Sequence, residues 1–284
     1  MKQKILFMMI DMNVGGTEKA FLNLVSEIDF TKYDVTLLLL EEKGGFLKDV
    51  PNEVQIETLE NYEQIKDEIM LPPLVCAKKA MHIKKYLKAV GILFYHIIFK
   101  ISNDRTSYYK YIIRKLKKKE GYDVAIAFAG PMEFITTYIL EKVEANKKIQ
   151  WIHFDISKNG TNLKHARRNY PKFNKIFVVS DQAKQILIDA IPSIDKITET
   201  KQNVVSEAAC LKLAEVGETY RNYDGIKILT VGRLYREKGQ DIIPEVARQL
   251  KKEGYDFKWY LIGEGSIRKE IEKKIEEYEL KDTV

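Results

Sequence analysis

Short apolar runs recur along this chain, and each leads into a longer segment with helical periodicity. "ILFMMI" at 5–10 runs into "GTEKAFLNLVSEI", and Val35–Leu40, Val54–Ile56, Val124–Phe128, Lys148–Ile152 and Ile176–Val179 repeat the arrangement. Apolar runs that are continuous rather than alternating belong to strands covered on both faces. Regular alternation of such strands with helices calls for a parallel sheet layered by helices. An α/β fold is therefore expected, with helices over 17–28, 78–101, 107–119, 131–143, 162–170 and 181–190. Ser180 is placed to cap the last of these.

The rhythm lapses over 192–223, which is polar and weakly periodic, and then restarts. Strands are expected at 227–231 and 257–262 and helices at 240–252 and 266–279. This predicts a complete Rossmann-like domain over 1–205, a linker over 206–224, and at 225–284 the first part of a second Rossmann-like domain. About 60 residues with two strands make little core, and both strands would lie at sheet edges. The sequence therefore reads as part of a longer protein.

Composition excludes several classes. Among 284 residues only Cys76 and Cys210 are cysteines, which rules out a disulfide framework and fits a reducing cytosol. The apolar run near the N-terminus ends at Asp11 after six residues, too short for a signal sequence or a membrane span. The net charge of +6 is unevenly spread: 78–119 holds 13 Lys or Arg against Asp104 alone. That stretch carries +12, and the rest of the chain carries −6 (+6 − 12). Such a block points to an anionic surface as partner.

Four places offer chemistry. Gly15 and Gly16 make a tight loop between a strand and a helix opening near Thr17, where free N–H groups and the helix dipole suit an anion. A plain turn is the competing reading, since neither G-x-G-x-x-G nor a Walker lysine is present. Arg233 and Lys238 follow the strand 227–231, and ligands of open α/β sheets collect beyond strand ends. Two cations there can grip a diphosphate, or simply be solvated. His153 closes the strand 148–152, where it can bind a hydroxyl or transfer a proton, with Asp155 to orient it or standing as a loop carboxylate. No metal-ligand spacing accompanies it, and no G-x-S-x-G elbow occurs.

The fourth place is the basic block. Ala80, Ile83, Leu87, Val90, Phe94, Ile97 and Ile101 share one helical stripe, with Lys84, Lys85, Lys88 and Lys100 elsewhere on the wheel. Followed by "RKLKKK", which includes Lys115, this is either an amphipathic element facing anionic lipid or a helix packing its stripe on the sheet. Tyr108, Tyr109 and Tyr111 offer stacking groups for nucleic acid, but no nucleic-acid motif accompanies them, so none is expected as partner.

Together these stretches resemble the group 1 (family 4) glycosyltransferases, which have the two-domain GT-B architecture. "GGTEKAF" at 15–21, "YDVTLLL" at 33–39, "WIHFD" at 151–155 and "ILTVGRLYREKGQDIIPEVARQL" followed by "WYLIGEGSIRKEIE" carry the resemblance. It implies a nucleotide-sugar donor whose diphosphate is gripped by Arg233 and Lys238, with Gly15, Gly16 and Thr17 approaching the same phosphates and His153 touching the transferred sugar. It implies transfer with retention of configuration and no metal or other cofactor; the basic amphipathic segment in turn suggests an acceptor at the inner membrane surface, a lipid-linked or cell-envelope glycan. The expected location is cytoplasmic, peripheral on the inner membrane face through Lys84, Lys85, Lys88 and Lys115. The family's glutamate pair, further along its C-terminal domain, is not matched: Glu237/Glu245 and Glu264/Glu272 have the spacing but the wrong context. A sugar-nucleotide epimerase of the same fold and a non-catalytic sugar-binding or partner protein are the alternatives.

Overall fold

Each apolar run becomes a strand whose side chains divide between two helix layers. The computed structural model describes residues 2–130, 132–158, 160–216 and 223–284. Its first elements are β1 (Gln3–Met9), α1 (Gly16–Ser26), β2 (Tyr33–Leu39), β3 (Val54–Thr58), α2 (Lys66–Met70), α3 (Pro73–His82), α4 (Tyr86–Ser102) and α5 (Thr106–Ile113). Next come β4 (Lys119–Gly130), α6 (Glu133–Lys142), β5 (Val143–Ile152), α7 (Leu163–Asn169), β6 (Lys175–Val178), α8 (Asp181–Ala190), β7 (Thr198–Thr200) and α9 (Glu207–Val216). The last are β8 (Ile226–Val231), α10 (Ile243–Lys252), β9 (Phe257–Ile262) and α11 (Arg268–Glu277).

The described residues form two compact units, Met1–Leu211 and Lys212–Val284. In the first, seven parallel strands run in the order β3-β2-β1-β4-β5-β6-β7. Alternate residues of each strand face opposite layers, as the period of two requires. Leu6 and Met8 join the core beneath α3 to α8, while Phe7 and Met9 join the core beneath α1. On the α1 side Phe7, Phe21 and Phe128 meet edge to face, with centroids 5.4, 5.7 and 5.8 Å apart. These strands are buried on both faces, so they read as continuous apolar runs.

In the second unit β8 pairs in parallel with β9. Leu234, Ile267 and Ile271 form one small core and Ala247, Phe257 and Leu280 another. Ile226, Leu229 and Val231 stay more than half exposed, as expected for strands with one neighbour each.

Several boundaries depart from the sequence reading. The helix expected over 78–101 is two helices, broken where Lys84 adopts the left-handed conformation (φ 59°). The helix expected over 107–119 ends at Ile113, and Lys119 opens β4, paired to Glu57 and in register with Val143. In the polar stretch 192–223, Thr198–Thr200 forms an edge strand beside β6 and Glu207–Val216 a helix. Residues 217–222 of the expected linker lie outside the described residues.

Candidate active site

Strand order in the first unit reverses around β1, so the loops after β1 and β4 open at a topological switch point. Ligands of such sheets bind there, beyond the carboxyl ends of the strands. Gly15 and Gly16 lie in the loop after β1. Gly15 is extended (φ −157°) and caps α1, and a Cβ on Gly16 would meet nothing within 4 Å. The backbone at Gly16 is therefore open to approach. Thr17 is different: its side chain is buried, so only its backbone N–H faces the helix mouth. The Glu18 carboxylate folds back onto Gly15 and takes up part of the helix-start field.

His153 follows β5, two strand spacings from β1, or about 10 Å across the sheet. Its ring packs against Phe128 at 4.5 Å and stacks on Trp151 at 5.9 Å, which fixes its plane. Neither ring nitrogen completes a hydrogen bond among the described residues; the Phe128 backbone and the Asn203 side chain approach and weakly favour the charged ring. Burial outweighs them and pulls the imidazole down to about 4. At neutral pH the ring is uncharged, with one nitrogen able to donate and the other to accept. This favours hydroxyl binding over proton transfer, the second role read from the sequence. Asp155 does not orient it: that carboxylate accepts from the Ser157 backbone and hydroxyl at 2.9 and 2.6 Å, closing its own turn.

Glu133, which the sequence reading passed over, opens α6 in the loop after β4. Its Oε2 is buried without a partner among the described residues, and burial raises its carboxyl above the usual range. The available signal was its position three residues after the end of a switch-point strand.

In the second unit, Arg233 and Lys238 both follow β8. Arg233 donates to Glu237 at 3.0 Å and lies over Tyr235, with both ionic groups more than half exposed. Lys238 is exposed and has no ion-pair partner among the described residues. The loops after β8 and β9 are pinned together by Gly232 N–H to Ile262 O and Leu234 N–H to Glu264 O, each 2.9 Å. Gly263 makes this possible: at φ 157° a Cβ would run into the Gly232 carbonyl. Gly263→Ala is expected to cost this unit about 1–3 kcal/mol, read as faster hydrogen exchange of the β9 amides. The sequence's glutamate pairs serve structure: Glu237 holds Arg233, Glu245 holds Lys274, and Glu264 and Glu272 both hold Arg268.

The four lysines read as a surface site do come together. Lys84, Lys85, Lys88 and Lys115 line one cavity of about 810 Å³ in the first unit, with Arg114 and Glu68. Tyr108 and Tyr109 are core residues, so they are withdrawn as stacking groups. Among the described residues no group of three or more His, Cys, Asp or Glu is placed to hold a metal, and no helix is long and apolar enough to cross a membrane.

Residues 217–284 match the family model of the group 1 glycosyl transferases. The amylovoran biosynthesis glycosyltransferase AmsK of Erwinia amylovora is 26% identical over 179 residues, 61% of this chain and 42% of that protein. The C-terminal segment is thus similar to the group 1 glycosyl transferases, and the relatives found support that family for the chain. Among solved structures, this chain resembles Anabaena HepE, determined with UDP and glucose: TM-score 0.59, 15% identity, covering 99% of this chain and 68% of HepE. It also resembles a TarM variant of S. aureus, determined with fondaparinux, alpha-GlcNAc-glycerol and UDP: TM-score 0.60, 14% identity, covering 99% of this chain and 76% of that one. These likenesses show the GT-B type of fold. The match spans less than half the length of AmsK.

Proposed function

We propose that the protein transfers a sugar from a nucleotide-sugar donor to a cell-envelope or lipid-linked glycan, with retention and without a metal ion. The observation that carries this reading is the uncharged His153 ring at the carboxyl end of the sheet, whose nitrogens have no hydrogen-bond partner among the described residues. A buried polar group without a partner is costly, and a sugar hydroxyl would satisfy it. AmsK's name, a glycosyltransferase of amylovoran biosynthesis, supports a glycan acceptor. HepE and TarM, both determined with UDP, support a nucleotide donor. Glu133, whose Oε2 has no partner among the described residues, is a second candidate contact for the sugar or acceptor.

In this reading the C1–O bond to the diphosphate breaks, and its electron pair stays on the leaving oxygen. The acceptor oxygen bonds to C1 on the face the diphosphate leaves, and the acceptor's proton passes to the diphosphate. Arg233 and Lys238 take the negative charge that grows on the leaving group; Arg233 exchanges Glu237 for phosphate to do so. Within the first unit, the backbone at Gly15, Gly16 and Thr17 is a separate candidate for a phosphate contact. The reaction is placed at the cytoplasmic face of a membrane, with Lys84, Lys85 and Lys115 toward its anionic surface; Lys88, also read as part of that surface, is held by the buried Glu68.

The 284 residues alone are expected to be inactive, so the test is product formation by the complete protein from a panel of labelled nucleotide sugars, with and without glycan acceptors. Acceptor-dependent transfer is the expected result. Conversion of the sugar nucleotide without acceptor would indicate an epimerase, and no turnover with any donor would end the transfer reading. Separately, Arg233→Ala is expected to weaken nucleoside diphosphate binding by about 10- to 150-fold, the loss of a charged hydrogen bond of about 1.5–3 kcal/mol. Titration calorimetry reads this, and an unchanged affinity removes Arg233 from the site.

A further inference from the structure

Helix α4, "YLKAVGILFYHIIFKIS", is apolar nearly all round yet covered on one side only. Ala89 and Ile92 are buried in the domain. On the other side Leu87, Val90, Phe94, Ile97 and Ile101 are 91, 64, 58, 57 and 81% exposed. Their spacing of three and four keeps them in one stripe, about 21 Å long at 1.5 Å per residue. The sequence allowed the stripe to be core-facing; the break at Lys84 leaves Ala80 in the core and turns the rest outward. Ile83 and Tyr86 extend the exposed apolar surface to the helix start. Contiguous apolar surface of this kind on a globular domain marks an interaction site.

The stripe begins at the cationic cavity. Tyr86 and Leu87 belong to both, and the same wall carries Lys84, Lys85 and Lys88, faced by Arg114 and Lys115 from beyond α5. Lys88 is committed: it pairs with the buried Glu68, whose second oxygen has no partner among the described residues, and donates to the Gln64 carbonyl at 3.2 Å. Arg114 is partly committed, donating to the Tyr111 carbonyl and lying 3.7 Å from that ring's centroid. Lys84, Lys85 and Lys115 have no ion-pair partner among the described residues. A lysine held at positive φ costs of order 1 kcal/mol or more, and such strain collects at functional sites.

We propose that this edge of the first unit docks on an anionic lipid bilayer. The α4 stripe lies at the head-group and acyl boundary, and the cavity takes the phosphate of one lipid head group between Lys84, Lys85 and Lys115. The inference rests on the membrane side of the proposed function and is independent of sugar transfer. Charge selects the occupant. A second copy of the chain would bring Lys84, Lys85, Lys100 and Lys115 against their like, which opposes self-association. An anionic surface attracts them, at about 1 kcal/mol per cation near the interface. A helix that leaves one apolar stripe uncovered, with flanking lysines and too little length to span, lies in the plane of the membrane.

The experiment is flotation with vesicles of phosphatidylcholine alone or with 30 mol%, approximately, of phosphatidylglycerol, over a range of salt. Binding at least tenfold tighter to the anionic vesicles, weakening with salt, is expected. Leu87→Gln with Phe94→Gln should lower it at least tenfold at every salt. Lys84→Glu with Lys85→Glu and Lys115→Glu should abolish the preference for anionic lipid. Lys88 is left intact, because reversing it would strand Glu68 in the interior. Circular dichroism and melting temperature confirm that both variants are folded.

Equal binding to both vesicle types, or none, overturns the proposal. A dimer in solution that the Leu87/Phe94 variant dissolves also overturns it in favour of a second copy. A soluble source of the same chemistry is tested with glycerol phosphate. Displacement from vesicles only at high millimolar concentration supports the lipid, whereas tight binding of glycerol phosphate that the Leu87/Phe94 variant retains assigns the cavity to a free phosphate ester.

Discussion

His153→Ala is expected to slow sugar transfer about 100-fold with the melting temperature changed little by comparison. The imidazole is held by stacking on Trp151 and contact with Phe128, so ring packing aims its hydrogen-bonding edge, which completes no hydrogen bond among the described residues. Such a group costs nothing to reorganise during the reaction, and removing one fixed donor of this kind costs about 10²–10³ in rate. The effect should fall mainly on kcat, because hydrogen bonds to sugar hydroxyls strengthen as positive charge grows at C1. His153→Gln, which keeps a donor and an acceptor, should recover part of the loss. The burial-depressed pKa adds a signature: between pH 5 and 8 the ring stays neutral, so the rate should show no titration from this residue. A bell-shaped profile with a limb near 6.5 that vanishes in the alanine variant would instead make His153 a proton carrier.

The architecture was legible because its cause is local. Leu6, Met8, Leu38, Ala125 and Ala127 are apolar in unbroken runs, and only strands buried on both faces produce that pattern. What escaped was set by contacts across the fold. Lys84 is a good helix former by composition, and the three-and-four spacing runs unbroken through it, so nothing local announced the break. The segment ending at Lys119 likewise reads as helix until its pairing with β5 overrides propensity. Thr198–Thr200 lacks an apolar run because it borders the sheet and has one neighbour. For the site, His153 was visible as a histidine at a strand end. Glu133 was not, since a glutamate in a first helical turn is ordinarily there for the dipole; only tertiary packing leaves its Oε2 buried without a partner among the described residues.

Acid should destabilise the first unit well before its carboxylates titrate. His165 is buried and His153 is half-buried with both ring nitrogens out of solvent, and this desolvation holds both near 4, against an ordinary 6.5. His165 is 1% exposed and bonds through Nε2 to the Thr137 hydroxyl at 3.0 Å. From pH 6.5 downward the unfolded chain takes up these two protons while the folded domain refuses them. Unfolding therefore consumes protons, and stability falls as pH falls. The contribution of the neutral rings is complete above 6.5 and lost progressively down to about 4, where the folded rings also charge. At 1.36 kcal/mol per pH unit of displacement, each ring accounts for about 3 kcal/mol at the bottom of that window. Glu133 acts with the opposite sign, because its raised carboxyl favours the folded state as pH drops, and it offsets part of the loss. Asp104, lowered mainly by its bonds to Thr106 and Arg168 against the cost of burial, adds a further loss only below its ordinary range. Thermal melts from pH 7 to 4.5 should show close to two protons taken up on unfolding near pH 5, and one in His165→Gln. A melting temperature that stays level across this interval would mean that at least one of the two rings is charged inside the fold.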